Sequence, residues 1–267
     1  IQLSEKEDGY KWKTAALFGL SLAITVLFRQ LFLLFTPFMF AWIWWASGRK
    51  RIVELALAGL IIATSVLPIT AFNYNRFDQF VLVNTNAGFA FYWGNHPIHG
   101  TSFISILPSE TYLELIPEEL HSLSEADLED ELMSRALGFI TEDPGRYALL
   151  SLSRIPSYFM FWPSENSSTI SNISRVLSFG VAFPFVLVGL WLAIKKWDWD
   201  LSSPLVLVVM FIGVYTGIHL LSWALVRYRL PIDPIFLMFS SLAVYEIALR
   251  LYSRTTARNS ISLGTGK

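Results

Sequence analysis

The sequence predicts a mainly α-helical, polytopic membrane protein of about six transmembrane helices with a large extracytoplasmic α+β loop. Three observations carry this reading. Of the 267 residues, 54% are hydrophobic and only 15% charged, and the mean hydropathy is +0.48. Several uninterrupted apolar stretches approach the roughly 20 helical residues that cross a bilayer core of about 30 Å. Lysine and arginine collect in short connections that share one side if the spans alternate.

The first three spans are expected over residues 14–28, 31–46 and 52–72, and the last three over 176–194, 204–226 and 232–251. The first two are short and joined by Arg29-Gln30, so either a tight transmembrane hairpin or a re-entrant pair fits them. Lys11 and Lys13, Arg49-Lys50-Arg51, Lys195-Lys196, and Arg250, Arg254 and Arg258 mark the cytoplasmic side of a plasma (inner) membrane. Trp42, Trp44, Trp45, Trp191, Trp197 and Trp199 lie near those same ends, as interfacial aromatics do. Both ends of the chain are then cytoplasmic, with 252–267 a polar tail that is disordered after Arg254, and residues 73–175 form the outer segment. The chain opens on a polar connector, Ile1-Gln2-Leu3-Ser4-Glu5, without the basic and apolar regions of a signal peptide, and reads as the C-terminal part of a longer protein.

Composition also excludes. A net charge of -1 without a basic, aromatic-interleaved patch argues against nucleic acid as a partner. The absence of cysteine removes disulfides, thiolate metal sites and cysteine nucleophiles. No Asp, Glu, Lys or His lies deep in a span, which disfavours ion or proton transport.

In the outer segment, Phe80-Val81-Leu82-Val83 and the run 89–93, separated by Asn84-Thr85-Asn86-Ala87-Gly88, predict a strand–turn–strand unit. Ser124 with Asp127 three positions later is a capping box, and Leu128, Leu132, Ala136 and Ile140 repeat every fourth residue, so an amphipathic helix follows. A second helix starts near Pro144 and carries Tyr147, Leu150, Ile155 and Tyr158 toward the aromatic cluster at 159–162, which suits the headgroup layer.

Arg227-Tyr228-Arg229-Leu230-Pro231 lies on the outer side in this topology, where cationic anchors are not expected. Arg227 and Arg229 read either as snorkelling anchors or, better, as a guanidinium pair for a phosphate anion, with Tyr228 adding a hydroxyl. His219, about two turns earlier, either bonds neighbouring backbone or joins that site. His96-Pro97-Ile98-His99 could suggest metal ligands, but the proline opposes a shared helical face and no third ligand is near, so no metal is expected. Asn166-Ser167-Ser168 and Asn172-Ile173-Ser174 match the glycosylation triplet, a pattern common by chance.

These patches together resemble the C-terminal half of bacterial membrane glycosyltransferases of the GT-C superfamily, the group with protein O-mannosyltransferase-like and aminoarabinose-transferase-like enzymes. Leu27-Phe28-Arg29-Gln30 is similar to a leucine-threonine-arginine-proline turn, with Gln30 in place of proline. Asn84-Thr85-Asn86-Ala87-Gly88 and Tyr92-Trp93-Gly94-Asn95 resemble the family's serine-threonine-asparagine-glycine-glycine and tryptophan-isoleucine-glycine-asparagine stretches, with His96 replacing a second asparagine. The Asp143-Pro144-Gly145 break and the arginine-tyrosine-arginine-leucine-proline start of a late helix complete the likeness. The resemblance implies a polyprenyl-phosphate sugar as donor substrate, no cofactor, and a glycan, lipid or protein acceptor. It places the catalytic Asp upstream of residue 1, so the fragment alone is expected to be inactive. Arg227, Tyr228, Arg229, His219 and Arg29 would then serve the donor, with Asn95 and His96 lining the outer cavity. The alternatives are a lipid-linked glycan ligase or polymerase, and a non-catalytic membrane scaffold or flippase.

Overall fold

The computed structural model describes residues 11–165, 167–197 and 200–264. The connector 1–10, Asn166 of the first glycosylation triplet, and Trp199 lie outside the described residues, as do the side chains of Arg254 and Arg258. All the regular secondary structure among the described residues is helical, without a strand, and five helices are long and apolar enough to cross a membrane. At most 22% of any of their apolar windows is buried, so most of that greasy surface faces outward, as in a multi-pass membrane protein. The second expected span, Leu31–Ala46, has 16 residues and falls short of these five. The chain divides into two compact units.

The first unit comprises Ile1–Tyr158 and Leu201–Leu225. Helices α1 (Lys11–Phe28), α2 (Leu31–Ala46) and α3 (Ile52–Phe77) open it. Ala15, Gly19, Ala23 and Val26 form one buried face of α1, and Leu55, Ala58, Ile62 and Val66 one face of α3. Small residues at every fourth position bring the two backbones together, the usual way membrane helices gain contact when lipid is as apolar as the side chains. Helix α10 (Pro204–Leu221) packs on α2 through Phe211, whose ring lies 5.4 Å from Phe32 and 5.1 Å from Phe35.

The part of this unit between the candidate spans holds α4 (Ala87–Asn95), α5 (Ser109–Glu114), α6 (Glu125–Glu142) and α7 (Pro144–Phe159, whose last residue belongs to the second unit), with short 3-10 turns at Pro97–His99 and Glu118–Leu120. Here the expected strand–turn–strand unit is corrected. Residues 80–83 make no strand: Asn73 Nδ2 donates to Val81 O (3.1 Å) and Val83 O (3.0 Å), and Thr70 Oγ1 to Leu82 O (2.7 Å). Side chains from the end of α3 thus satisfy carbonyls that would otherwise need a partner strand. The aromatic run 89–93 is helical, with Gly88, Tyr92 and Asn95, four and three apart, on one buried face and Gly94 buried beside them. The loop is therefore all α rather than α+β. The capping box forms as expected, with Ser124 Oγ accepting from Asp127 N and donating to Asp127 Oδ2. Leu132 and Ala136 pack with Tyr92, Ile116 and Leu120 in one apolar core.

The second unit comprises Phe159–Asp200 and Val226–Lys267. Helix α8 (Thr169–Arg175), capped by Ser168, continues through a π-turn (Val176–Gly180) into α9 (Val181–Lys195), and together they make one 27-residue candidate span. Helix α11 (Asp233–Gly264) packs on α9 so closely that a Cβ on Gly189 would overlap the carbonyl of Phe239. Phe161, Phe179, Phe183 and Phe236 fill the unit's core. The disordered tail expected after Arg254 is also corrected: the helix runs on to Gly264, since no proline or glycine interrupts it earlier. Asn172 of the second glycosylation triplet holds Ser164 by both amide atoms, accepting from its N–H and donating to its carbonyl at 3.0 Å each.

Candidate functional site

Helix α4 has nine residues, so nearly all its backbone groups lie in a terminal turn and need partners from outside. Its first turn takes them from α6: Glu129 Oε1 accepts from the N–H groups of Ala87 and Gly88, each at 3.2 Å. Burial pushes the Glu129 carboxyl above its ordinary value, and those two bonds work against the rise. The last turn takes cations from α7. Arg154 Nη2 donates to Gly94 O and to Asn95 Oδ1 (2.8 Å), and Arg146 Nη2 donates to Asn95 O (2.9 Å). Asn95 Nδ2 closes on Phe91 O (2.9 Å), and His99 Nε2 donates to Trp93 O (2.8 Å) while its Nδ1 accepts from Ile104 N (3.3 Å). A short helix with a carboxylate at its N-terminus and guanidiniums at its C-terminus has both ends of its dipole satisfied.

Arg154 is fully buried, and no carboxylate binds it among the described residues. Its Nη1 instead donates to Leu220 O (2.8 Å), in the last turn of α10, and its guanidinium lies 5.1 Å from the Phe103 ring centroid. Two helix C-termini, α4 and α10, therefore share one cation between their partial negative ends. Burial draws Arg154 down to about 10, with Arg146 contributing, yet it stays protonated at neutral pH. The two helices meet where Gly94 lies under the carbonyl of Ser222, a place with no room for a Cβ. Tyr147 OH donates to Leu221 O (3.0 Å), a second bond from α7 to the same helix end.

Beside this junction the structure brings together two residues singled out from sequence. His219 is buried, with its ring 4.9 Å from Tyr215 and 5.9 Å from Tyr158. The guanidinium of Arg29 lies 5.7 Å from the centroid of the Tyr215 ring. Gln30 Nε2 donates to Asn84 Oδ1 at 2.6 Å, tying the α1–α2 hairpin to the outer segment. Asn95 is fully buried inside the α4 clamp. His96 is half-buried against Tyr92 and Phe139, and its Nδ1 accepts from Ile98 N at 3.2 Å. Burial, then His99 and Arg146, lower His96 to about 4, so it is neutral at physiological pH.

The remaining three expected residues sit in the second unit. Arg229 is buried, donates from Nε to Asp233 Oδ1 (2.7 Å), and stacks 3.4 Å from the centroid of Phe179. Arg227 is exposed, and its guanidinium lies 5.4 Å from the Tyr228 ring. The two arginines thus differ in kind: one is bound into its own unit, the other faces outward.

An apolar groove runs along α2 and α3 in the first unit. A cavity of about 400 Å³ lined by Leu33, Phe40, Ile62, Val66 and Leu82 shares Phe40 and Gly59 with a second of about 410 Å³ that reaches Trp44 and Ile52. From Ile52 to Thr70 the groove covers about 27 Å at the helical rise, close to a bilayer core. Its Leu33–Leu82 end adjoins Gln30 and Asn84 in the chain. No cluster of three or more His, Asp or Glu side chains suited to a metal occurs among the described residues, and both ring nitrogens of His99 are bonded to backbone.

Sequence reasoning missed Arg154, Arg146, Tyr147 and Glu129 as organising residues. The signal was present for one face, since Tyr147, Ser151, Arg154 and Tyr158 recur at helical spacing on α7. Comparison with protein-family models, curated protein sequences and solved structures gives no match to this chain.

Proposed function

We propose that the protein is part of an integral membrane glycosyltransferase of GT-C type, moving a sugar from a polyprenyl-phosphate donor to an acceptor on the extracytoplasmic side. The observation that supports it best is the groove on α2 and α3: it is apolar, it has the length of a bilayer core, and it leads to the Arg29-Gln30 hairpin. A polyprenyl chain needs such a surface, and its phosphate needs a cation at the groove's head. In the transfer, the bond between the sugar's anomeric carbon and the phosphate oxygen breaks, the acceptor oxygen bonds to that carbon, and the acceptor's proton goes to a base. Charge builds on the departing phosphate, where a guanidinium lowers the barrier.

Arg29, four residues before the groove residue Leu33 in sequence and packed on the Tyr215 ring beside His219, is the cation this reading assigns to the phosphate. Within the second unit, Arg227 is the exposed arginine, and Arg229 holds the segment in shape through Asp233. The test is sugar transfer from radiolabelled polyprenyl-phosphate mannose and polyprenyl-phosphate aminoarabinose in membranes carrying the full-length protein. Transfer by the wild type that is lost in Arg29→Ala and Arg227→Ala supports the reading. Transfer no greater than in membranes lacking the protein, or unchanged in both variants, refutes it.

A further inference from the structure

Helix α7 is amphipathic in the reverse of the usual sense. Its polar residues Tyr147, Ser151, Arg154 and Tyr158 point inward, where all but Tyr147 are buried. The outward face, made by Gly145, Ala148, Leu149, Leu152, Ile155 and Pro156, is exposed and holds no charged or hydrogen-bonding side chain. Leu149 is 55% exposed, Leu152 62% and Ile155 40%, an arrangement that water would penalise. Neighbouring α6 has the ordinary arrangement, with Asp130 and Ser134 exposed and Leu132 and Ala136 buried.

What covers the face follows from where α7 is fastened. Tyr147 and Arg154, seven positions and so about 10 Å apart along the helix, both donate to the terminal carbonyls of α10, Leu221 O and Leu220 O. Helix α10 is one of the five helices long and apolar enough to cross a membrane, and α7 is bonded to its terminal turn. We infer that α7 is an interfacial helix whose Leu149–Leu152–Ile155 face sinks into the headgroup and acyl boundary of the bilayer. Buried polar groups on one side hold the helix to the protein, and lipid takes the other. Apolar insertion carries the binding, because the outward face has no cation to attract anionic headgroups. The inference stands apart from the transferase reading and requires no substrate.

The absence of cysteine makes the test clean, since each variant carries a single thiol. Ala148→Cys, Leu152→Cys and Ile155→Cys are spin-labelled in the protein reconstituted into phosphatidylethanolamine–phosphatidylglycerol vesicles, beside Asp130→Cys and Ser134→Cys on α6. Accessibility to oxygen is compared with accessibility to a water-soluble nickel chelate. The inference expects the oxygen-to-nickel ratio on α7 to exceed that on α6 severalfold, and to be unchanged by salt. Equal ratios on the two helices overturn it. So do immobile labels on α7 that neither reagent reaches, which would place another protein, or a second copy of this chain, on the face.

Discussion

Arg154 donates from Nη1 to Leu220 O at 2.8 Å and from Nη2 to Asn95 Oδ1 at 2.8 Å, so one buried guanidinium ends two helices at once. Buried arginines are ordinarily balanced by carboxylates, whereas here the balancing charge is the sum of peptide dipoles and an amide oxygen. The consequence is positional: the His219-bearing end of α10 and the Gly94-Asn95 end of α4 are fixed to the same side chain.

Replacing Arg154 by methionine leaves Gly94 O, Asn95 Oδ1 and Leu220 O without their donor and should cost about 1–3 kcal/mol for each acceptor that stays buried and unsatisfied. Arg154→Lys keeps the charge but not the fork and should recover only part of that loss. Thermal unfolding of the purified protein in detergent measures both, and a lysine variant as stable as wild type would contradict the two-helix clamp.

The His96 ring should resist protonation. Its folded value of about 4 lies below the ordinary 6.5, so as pH falls between them the unfolded chain takes up a proton that the folded chain refuses. The associated stability is full above 6.5 and drains away as pH falls toward 4. Histidine NMR should show the His96 resonance titrating near 4, and His96→Asn should flatten the acid side of the stability profile. A His96 titration near 6.5 would show that the ring is not held between Tyr92 and Phe139 as described.

Gly189→Ala should pry α9 from α11, because the new methyl meets the Phe239 carbonyl, and the overpacking should cost about 1–3 kcal/mol. Gly213→Ala on α10, where a Cβ meets nothing, serves as the control and should be neutral or slightly stabilising. Resistance to denaturation in mixed micelles reads the difference between the two variants.

Arg227 and Arg229 should separate cleanly by assay. Arg229→Ala breaks a buried ion pair with Asp233 and the stack on Phe179, so it should lower the unfolding temperature and expression. Arg227→Ala should leave the unfolding temperature unchanged while abolishing transfer of the sugar. The reverse pattern would move the anion-binding role from Arg227 to Arg229.

Most of the helical architecture was legible because apolar runs and end-capping signals are local. The start at Pro144, the Ser124 capping box and the Leu132–Ala136 stripe all follow from neighbours a few residues apart. The strand expectation for residues 80–93 failed for the converse reason. Aromatic and β-branched residues there favour a strand by propensity, but distant side chains, Asn73, Thr70 and Glu129, decide where the backbone groups are satisfied. Arg29 and His219 were each singled out separately, and only the folded packing of α2 on α10 places them around Tyr215. Arg154 escaped notice because α7 was read from its apolar residues, and the inward polar face reverses the usual assignment of inside and outside.

The most direct test of the donor-lipid account is photocrosslinking with a polyprenyl phosphate that carries a diazirine along its chain, followed by mass-spectrometric mapping. The account predicts adducts concentrated on Leu33, Phe40, Gly59, Ile62 and Val66, competed away by unlabelled polyprenyl phosphate and lost in Gly59→Phe. Adducts spread evenly over lipid-facing residues such as Leu17, Leu60 and Leu237, and insensitive to competitor, would contradict it.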